Sequence, residues 1–148
     1  MQVDFDSLTD RLQTLVETVD LGEDEARVHV TQDLDDFPTA EMCPAVSITL
    51  AQTNHTVKYI MAGADGSDEI WVQWEVVCFE FSANGTKDAN RRRNRLVRAV
   101  VDALRGDRTL GGGLQGFLET PNIRFQTVQG GAGIYSTGTI TVQVCTIG

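Results

Sequence analysis

Three consecutive arginines, Arg91-Arg92-Arg93, with Arg95 and Arg98 behind them, make the densest positive charge in the chain. Clustered guanidinium groups bind phosphate or carboxylate through directed, often bidentate hydrogen bonds. A site for nucleic acid would interleave aromatic side chains on which bases stack, and none interrupts this run. Ion pairs with carboxylates of another subunit suit it better, against the plain alternative of a solvated helix face. The glycines at 111–113 raise the question of a phosphate cradle. A P-loop places its glycines after a strand and opens a helix on Lys-Ser/Thr. Here they follow a helical stretch and lead into Leu114-Gln115, so that motif is absent.

Nucleophilic and metal chemistry find as little support. The two histidines, His29 in a short strand pattern and His55 in a turn-like segment, have no metal-ligand spacing to cysteines or carboxylates. A Cys–His pair with Cys43 or Cys145 as nucleophile would have to assemble across the sequence, and no nucleophile-elbow signature marks one. The acidic N-terminal third holds many carboxylates, none in an apolar setting that would raise a pKa for acid–base work. These residues point to contact and not to covalent change. No enzyme activity, cofactor or metal is expected.

A chain of 148 residues with 41% hydrophobic content fits one domain with its own core, spanning 1–148. Three cysteines, Cys43, Cys78 and Cys145, are an odd number without CxxC spacing, which argues against a disulfide framework or a zinc knuckle. Residues 1–10 are acidic and lack an apolar core, and no apolar run reaches membrane-spanning length, so a soluble, unsecreted protein is expected. The net charge is −9, unevenly spread. Residues 1–41 carry twelve Asp/Glu and two Arg, whereas residues 87–108 carry eight Lys/Arg and three Asp. Opposite poles of this kind are either solvated faces or surfaces through which copies meet head to tail.

The elements that must position these charges follow from periodicity. Phe5, Leu8, Leu12, Leu15, Val16 and Val19 recur at helical spacing, with Asp4 or Asp6 as cap and Leu21-Gly22 as stop. A short strand is predicted over 27–31, then an acidic loop broken by Pro38 and Pro44. Ala45–Leu50 alternates as a strand; Val57–Met61 and Ile70–Phe81 read as a hairpin around the turn-rich 63–68. The second arm is apolar on both faces, with Trp71, Val77, Phe79 and Phe81 against Val72, Trp74, Val76 and Cys78. It should be covered on both sides, by helices or by a neighbouring subunit. Thr86 is a candidate cap for a second helix to about Leu104, with Leu96, Val97, Val100, Val101 and Leu104 on one side and Arg91, Arg95, Arg98, Asp102 and Arg105 on the other. Gly106 would close it. A glycine-rich connection carrying Leu110, Leu114, Phe117 and Leu118 leads to two final strands, about 122–128 and 134–144. The expected class is α+β, a mixed and mostly antiparallel sheet of about five strands flanked by two helices.

The helix end VDALRGDRTLGGGL, the strand IRF after it and the glycine-broken hairpin GGAGIYSTGTITVQV resemble the C-terminal half of tail terminator proteins of long-tailed bacteriophages. Similar order and spacing extend over most of the chain; the acidic loop at 32–44 has no counterpart. The resemblance implies a virion protein assembled in the host cytoplasm, a hexameric ring that caps the tail tube, ends its polymerisation and offers a surface to the neck proteins of the head. Its partners would be copies of itself, the tube protein and a head or neck connector, with DNA passing through the lumen unbound and no membrane involved. On that view Arg91, Arg92, Arg95 and Arg98 contact acidic residues of the adjacent subunit, Asp33, Asp35 and Asp36 among them. Leu110 and Phe117 are candidate docking residues. The Asp107–Gly113 turn and the 62–69 hairpin tip are expected to order on docking. A head-completion or stopper protein of the neck is the neighbouring alternative, and a small α+β enzyme the distant one.

Overall fold

Alternating and helical patterns in this chain sort into eight elements in a computed structural model that describes residues 4–22, 27–32, 34, 38–58, 67–110 and 118–147. For 54–58, 67–69 and 145–147 the description is of the backbone alone. Helix α1 spans Phe5–Val16, β1 His29–Thr31, a 3₁₀ turn Ala40–Met42, β2 Ala45–Lys58, β3 Ser67–Ser82, α2 Thr86–Gly106, β4 Glu119–Gly130 and β5 Gly133–Ile147. The five strands form one sheet in the order β1-β2-β3-β5-β4, with β1 parallel to β2 and every other pairing antiparallel. This is the α+β class that the sequence predicts.

Both helices lie on one face of the sheet. Helix α1 packs on β1 and β2, α2 on β3, β5 and β4, and the two helices touch each other. Beneath them, β3 presents Ile70, Val72, Trp74, Val76 and Cys78, and β5 presents Ile140, Val142 and Val144, all buried. The indole N–H of Trp74 donates to the Thr9 hydroxyl at 2.9 Å, which satisfies the one polar atom that this large side chain brings into the core. From α2, Leu96, Val100 and Leu104 are almost wholly buried, each worth roughly 1.5–3 kcal/mol of transfer free energy. Among the described residues the cover expected on both faces of β3 lies mainly on this one. On the opposite face Gln73, Glu75, Val77, Thr139, Thr141 and Gln143 are only half-buried. Burial returns there at Ala45, Ser47, Phe79 and Thr137, near the end where the 3₁₀ turn contacts β3.

Several boundaries differ from the sequence reading. The strand read at 45–50 and the start of the one read at 57–61 are joined in one strand, β2, paired with β3 from Ala45↔Phe79 to Lys58↔Ser67, while residues 59–61 lie outside the described residues. An extra residue between Leu50 and Gln52 makes a bulge there. His55, read as a turn residue, stands in β2 opposite Ile70. Asp4 does cap α1, its carboxylate accepting from Ser7 N–H at 3.0 Å, but the helix stops at Val16, short of Leu21-Gly22. For α2 the N-cap position belongs to Gly85 at φ 103°, with Thr86 the first helical residue; Gly106 ends the helix and Asp107 follows as its C-cap. Of the two segments expected to order on docking, residues 62–66 and 111–113 lie outside the described residues.

Candidate interaction surfaces

The exposed side of α2 carries the arginine row. Arg91, Arg95, Arg98, Asp102 and Arg105 recur every three or four residues, and all five are exposed. Arg92 is exposed beside them and donates through Nε to the Asp88 carboxylate at 2.9 Å. That carboxylate also accepts the Ser82 hydroxyl, and the Ser82 bond followed by the Arg92 charge holds it below its ordinary pKa. Among the described residues Arg98 and Arg105 have no ion-pair partner. With Asp33, Asp35 and Asp36 outside the described residues, the carboxylates that sequence reasoning paired with this row have no described position.

Arg93 leaves the row. Its side chain turns to the buried side of α2 and is 8% exposed, where the run of three arginines had read as one continuous face. The guanidinium donates to the Ser136 hydroxyl at 2.9 Å and, through Nε and one Nη, to the Asn94 side-chain oxygen at 3.1 and 3.0 Å. It lies 4.6 Å from the centre of the Phe125 ring, a cation–π contact that covers part of the charge's lost hydration. Ser136 in turn donates to the Asn90 side-chain oxygen at 2.6 Å, and Thr127 reaches the same atom at 3.3 Å. Burial pushes the guanidinium down from its ordinary pKa, although Arg stays a cation at physiological pH. The network ties α2 to β5 and to the edge strand β4.

Between α2 and β4 lies a groove of about 390 Å³. Val97, Val101, Ile123 and Phe125 give its apolar lining, and Arg98, Asp102 and Arg105 line it from the helix. Phe125 is 55% exposed, the largest exposure of any large hydrophobic side chain described. Among the described residues strand β4 pairs with β5 alone, so β4 stands at this flank of the sheet.

The opposite flank is acidic. On α1 and its C-cap, Asp6, Asp10 and the capping Glu17 are exposed at spacings that put them, with Gln13, on one side of the helix. That side faces β1. Gln32, next after β1, donates to Asp10 at 2.8 Å and to Gln13 at 2.7 Å, and Gln13 donates to Glu17 at 2.9 Å.

The connection after α2 is anchored at its base. Leu110, proposed as a docking residue, is 2% exposed and belongs to the core, with its backbone in the left-handed region at φ 51°. Arg11 donates to its carbonyl at 3.0 Å. The backbones of Arg108 and Leu118 meet at 2.7 Å, and Arg108 Nε donates back to the Leu118 carbonyl at 3.1 Å. Chain departure at Leu110 and return at Leu118 are thus pinned by two arginines that sequence reasoning did not single out. Phe117 lies outside the described residues.

Catalytic geometry is weak where it can be inspected. Burial and then the Glu80 charge push the Cys43 thiol up to about 12, the reverse of an activated nucleophile. Cys78 is wholly buried and raised by the same causes. His29 is exposed on β1, and no hydrogen bond joins it to Cys43. Among the described residues no group of three His, Cys, Asp or Glu side chains could hold a metal ion, and no helix is long and apolar enough to cross a membrane. No protein-family model matches the chain, and no curated protein does.

Proposed function

We propose that this protein is a structural component of a phage virion, a tail terminator that forms a ring at the head-proximal end of the tail tube, stops tube growth and offers a surface to the neck. The observation that carries the reading is the pairing of unlike flanks in one subunit: an arginine row beside the edge strand β4 on one side, a carboxylate row on the other. A subunit built this way joins copies through a heterologous contact, which makes a ring when the rotation closes. Support also comes from the element order and from the junction ALRGDRTLGGGL at the end of α2, the stretch that resembles tail terminators. The acidic net charge suits a ring through which DNA passes without sticking.

The test is assembly on purified tail tubes, imaged by negative stain with the mass of the free protein measured in parallel. A ring on one end of the tube and arrested tube growth are expected. Binding to portal-bearing heads and not to tubes would reassign the protein to the neck as a stopper. Charge reversal at Arg95 and Arg98 should weaken the ring, and an unchanged oligomer mass on light scattering would discard their part in it.

A further inference from the structure

The geometry points to a specific self-contact: the carboxylate row Asp6-Asp10-Glu17 of one copy docks against the arginine row and the α2–β4 groove of the next. The inference rests on the proposed ring only in taking the partner to be a second copy of the chain.

Three observations lead to it. The first is placement. Helix α1 sits over β1 and β2 and α2 over β3, β5 and β4, and the strand order puts β1 and β4 at opposite edges of the sheet. The two charged rows therefore flank the same layer on opposite sides, so a lateral step of one subunit brings an acidic flank to a basic one. The second is spacing. Both rows follow the helical alternation of four and three residues, and the seven-residue step from Asp10 to Glu17 equals that from Arg98 to Arg105, so in an antiparallel pair of helices Glu17 meets Arg98, Asp10 meets Arg105, and the neutral Gln13 falls opposite Asp102. The third is energetic. Glu17 stands at the C-terminal end of α1, where the helix dipole disfavours a carboxylate, and the last turn has no basic residue to offset it. Among the described residues the neutral Gln13 amide meets that carboxylate at 2.9 Å, whereas an arginine from a neighbour brings the opposite charge.

The groove supplies what surface ion pairs lack. Exposed pairs contribute little individually and confer register more than strength. Apolar area beside them, here the half-exposed Phe125 ring and the Val97, Val101 and Ile123 lining, provides the burial that holds the contact.

Two charge-swapped variants test this. Arg98→Glu with Arg105→Glu makes both flanks acidic; Asp10→Arg with Glu17→Arg makes both basic. Each, shown folded by circular dichroism, should lose at least tenfold in self-association by light scattering. A one-to-one mixture should regain the wild-type mass, with both variants present in equal number by native mass spectrometry. Wild-type association by either variant alone, no recovery on mixing, or a wild-type protein that stays monomeric at its highest soluble concentration each overturn the inference. Should a reversal fail to fold, Arg98→Gln with Arg105→Gln replaces it, and association equal to wild type then counts against the contact. A wild-type assembly that obeys these pairings while tail tubes grow unarrested leaves the contact standing and removes only the terminator reading.

Discussion

Arg93 stands in phase with the apolar side of α2, four residues after Ala89 and three before Leu96, and its methylene stem fills the position that a hydrophobic residue would take. Its charge meets a hydroxyl, an amide oxygen and a ring face, with no carboxylate among the described partners. A buried cation held by neutral groups does little for stability beyond its packing, so the stem should matter more than the charge. Arg93→Ala is expected to destabilise the fold by about 2 kcal/mol through lost packing, and Arg93→Met by less than half of that. Urea denaturation of the two variants measures the difference. Equal losses would show that the guanidinium contacts carry the stabilisation. The phase of Arg93 was legible in the sequence, because its spacing to Leu96 and Val97 is that of the apolar stripe. Its partners were not, since Ser136 and Asn90 lie 46 residues apart and meet only when β5 enters the sheet beside β3.

Elements whose hydrophobic period was strong came through with their type intact, and the ones that shifted did so for local reasons. Strand β2 looked like two pieces because Gln52-Thr53-Asn54-His55-Thr56 is polar and interrupts the alternation. Its backbone continues because β3 offers an unbroken partner along it, and the bulge at Leu50 and Gln52 resets the side-chain phase. Helix α1 stops early because nothing beyond Val16 packs as Leu12 and Val16 do, although Val19 and Leu21 still touch the core. The seating of α2 depends on a small residue that no periodicity reveals: a Cβ on Gly138 would lie 2.6 Å from Val97 Cγ2. Valine is stiff at χ1, so the helix and not the side chain must give way. Gly138→Ala should therefore cost about 1–3 kcal/mol, in the range of core overpacking. Adding Val97→Ala should return part of that loss, as thermal unfolding of the single and double variants can show. Strictly additive losses would mean that the helix does not ride on this glycine.

At the scale of the molecule, charge is sorted across the sheet: α1 brings carboxylates to the β1 flank and α2 brings arginines to the β4 flank. The asymmetry between the two parts of the chain was visible in composition alone, but its direction in space was not. It depends on the β1-β2-β3-β5-β4 order, which sets the two helices side by side on one face. The carboxylates of α1 could not be singled out in the sequence, since Asp6, Asp10 and Glu17 gain meaning only once α1 is seen to turn them toward β1, beside Gln32. A contact joined by such rows should respond steeply to ionic strength, because raising salt from about 0.1 M to about 1 M shortens the Debye length from roughly 10 Å to roughly 3 Å. Self-association should weaken on the order of tenfold over that range, mainly through a slower on-rate. Replacing Arg98 and Arg105 by Gln should flatten the dependence, because fewer charges then remain to be screened. Sedimentation velocity across a salt series reads both slopes. Association that strengthens with salt would assign the contact to the apolar groove lining and leave the arginine row as a solvated face.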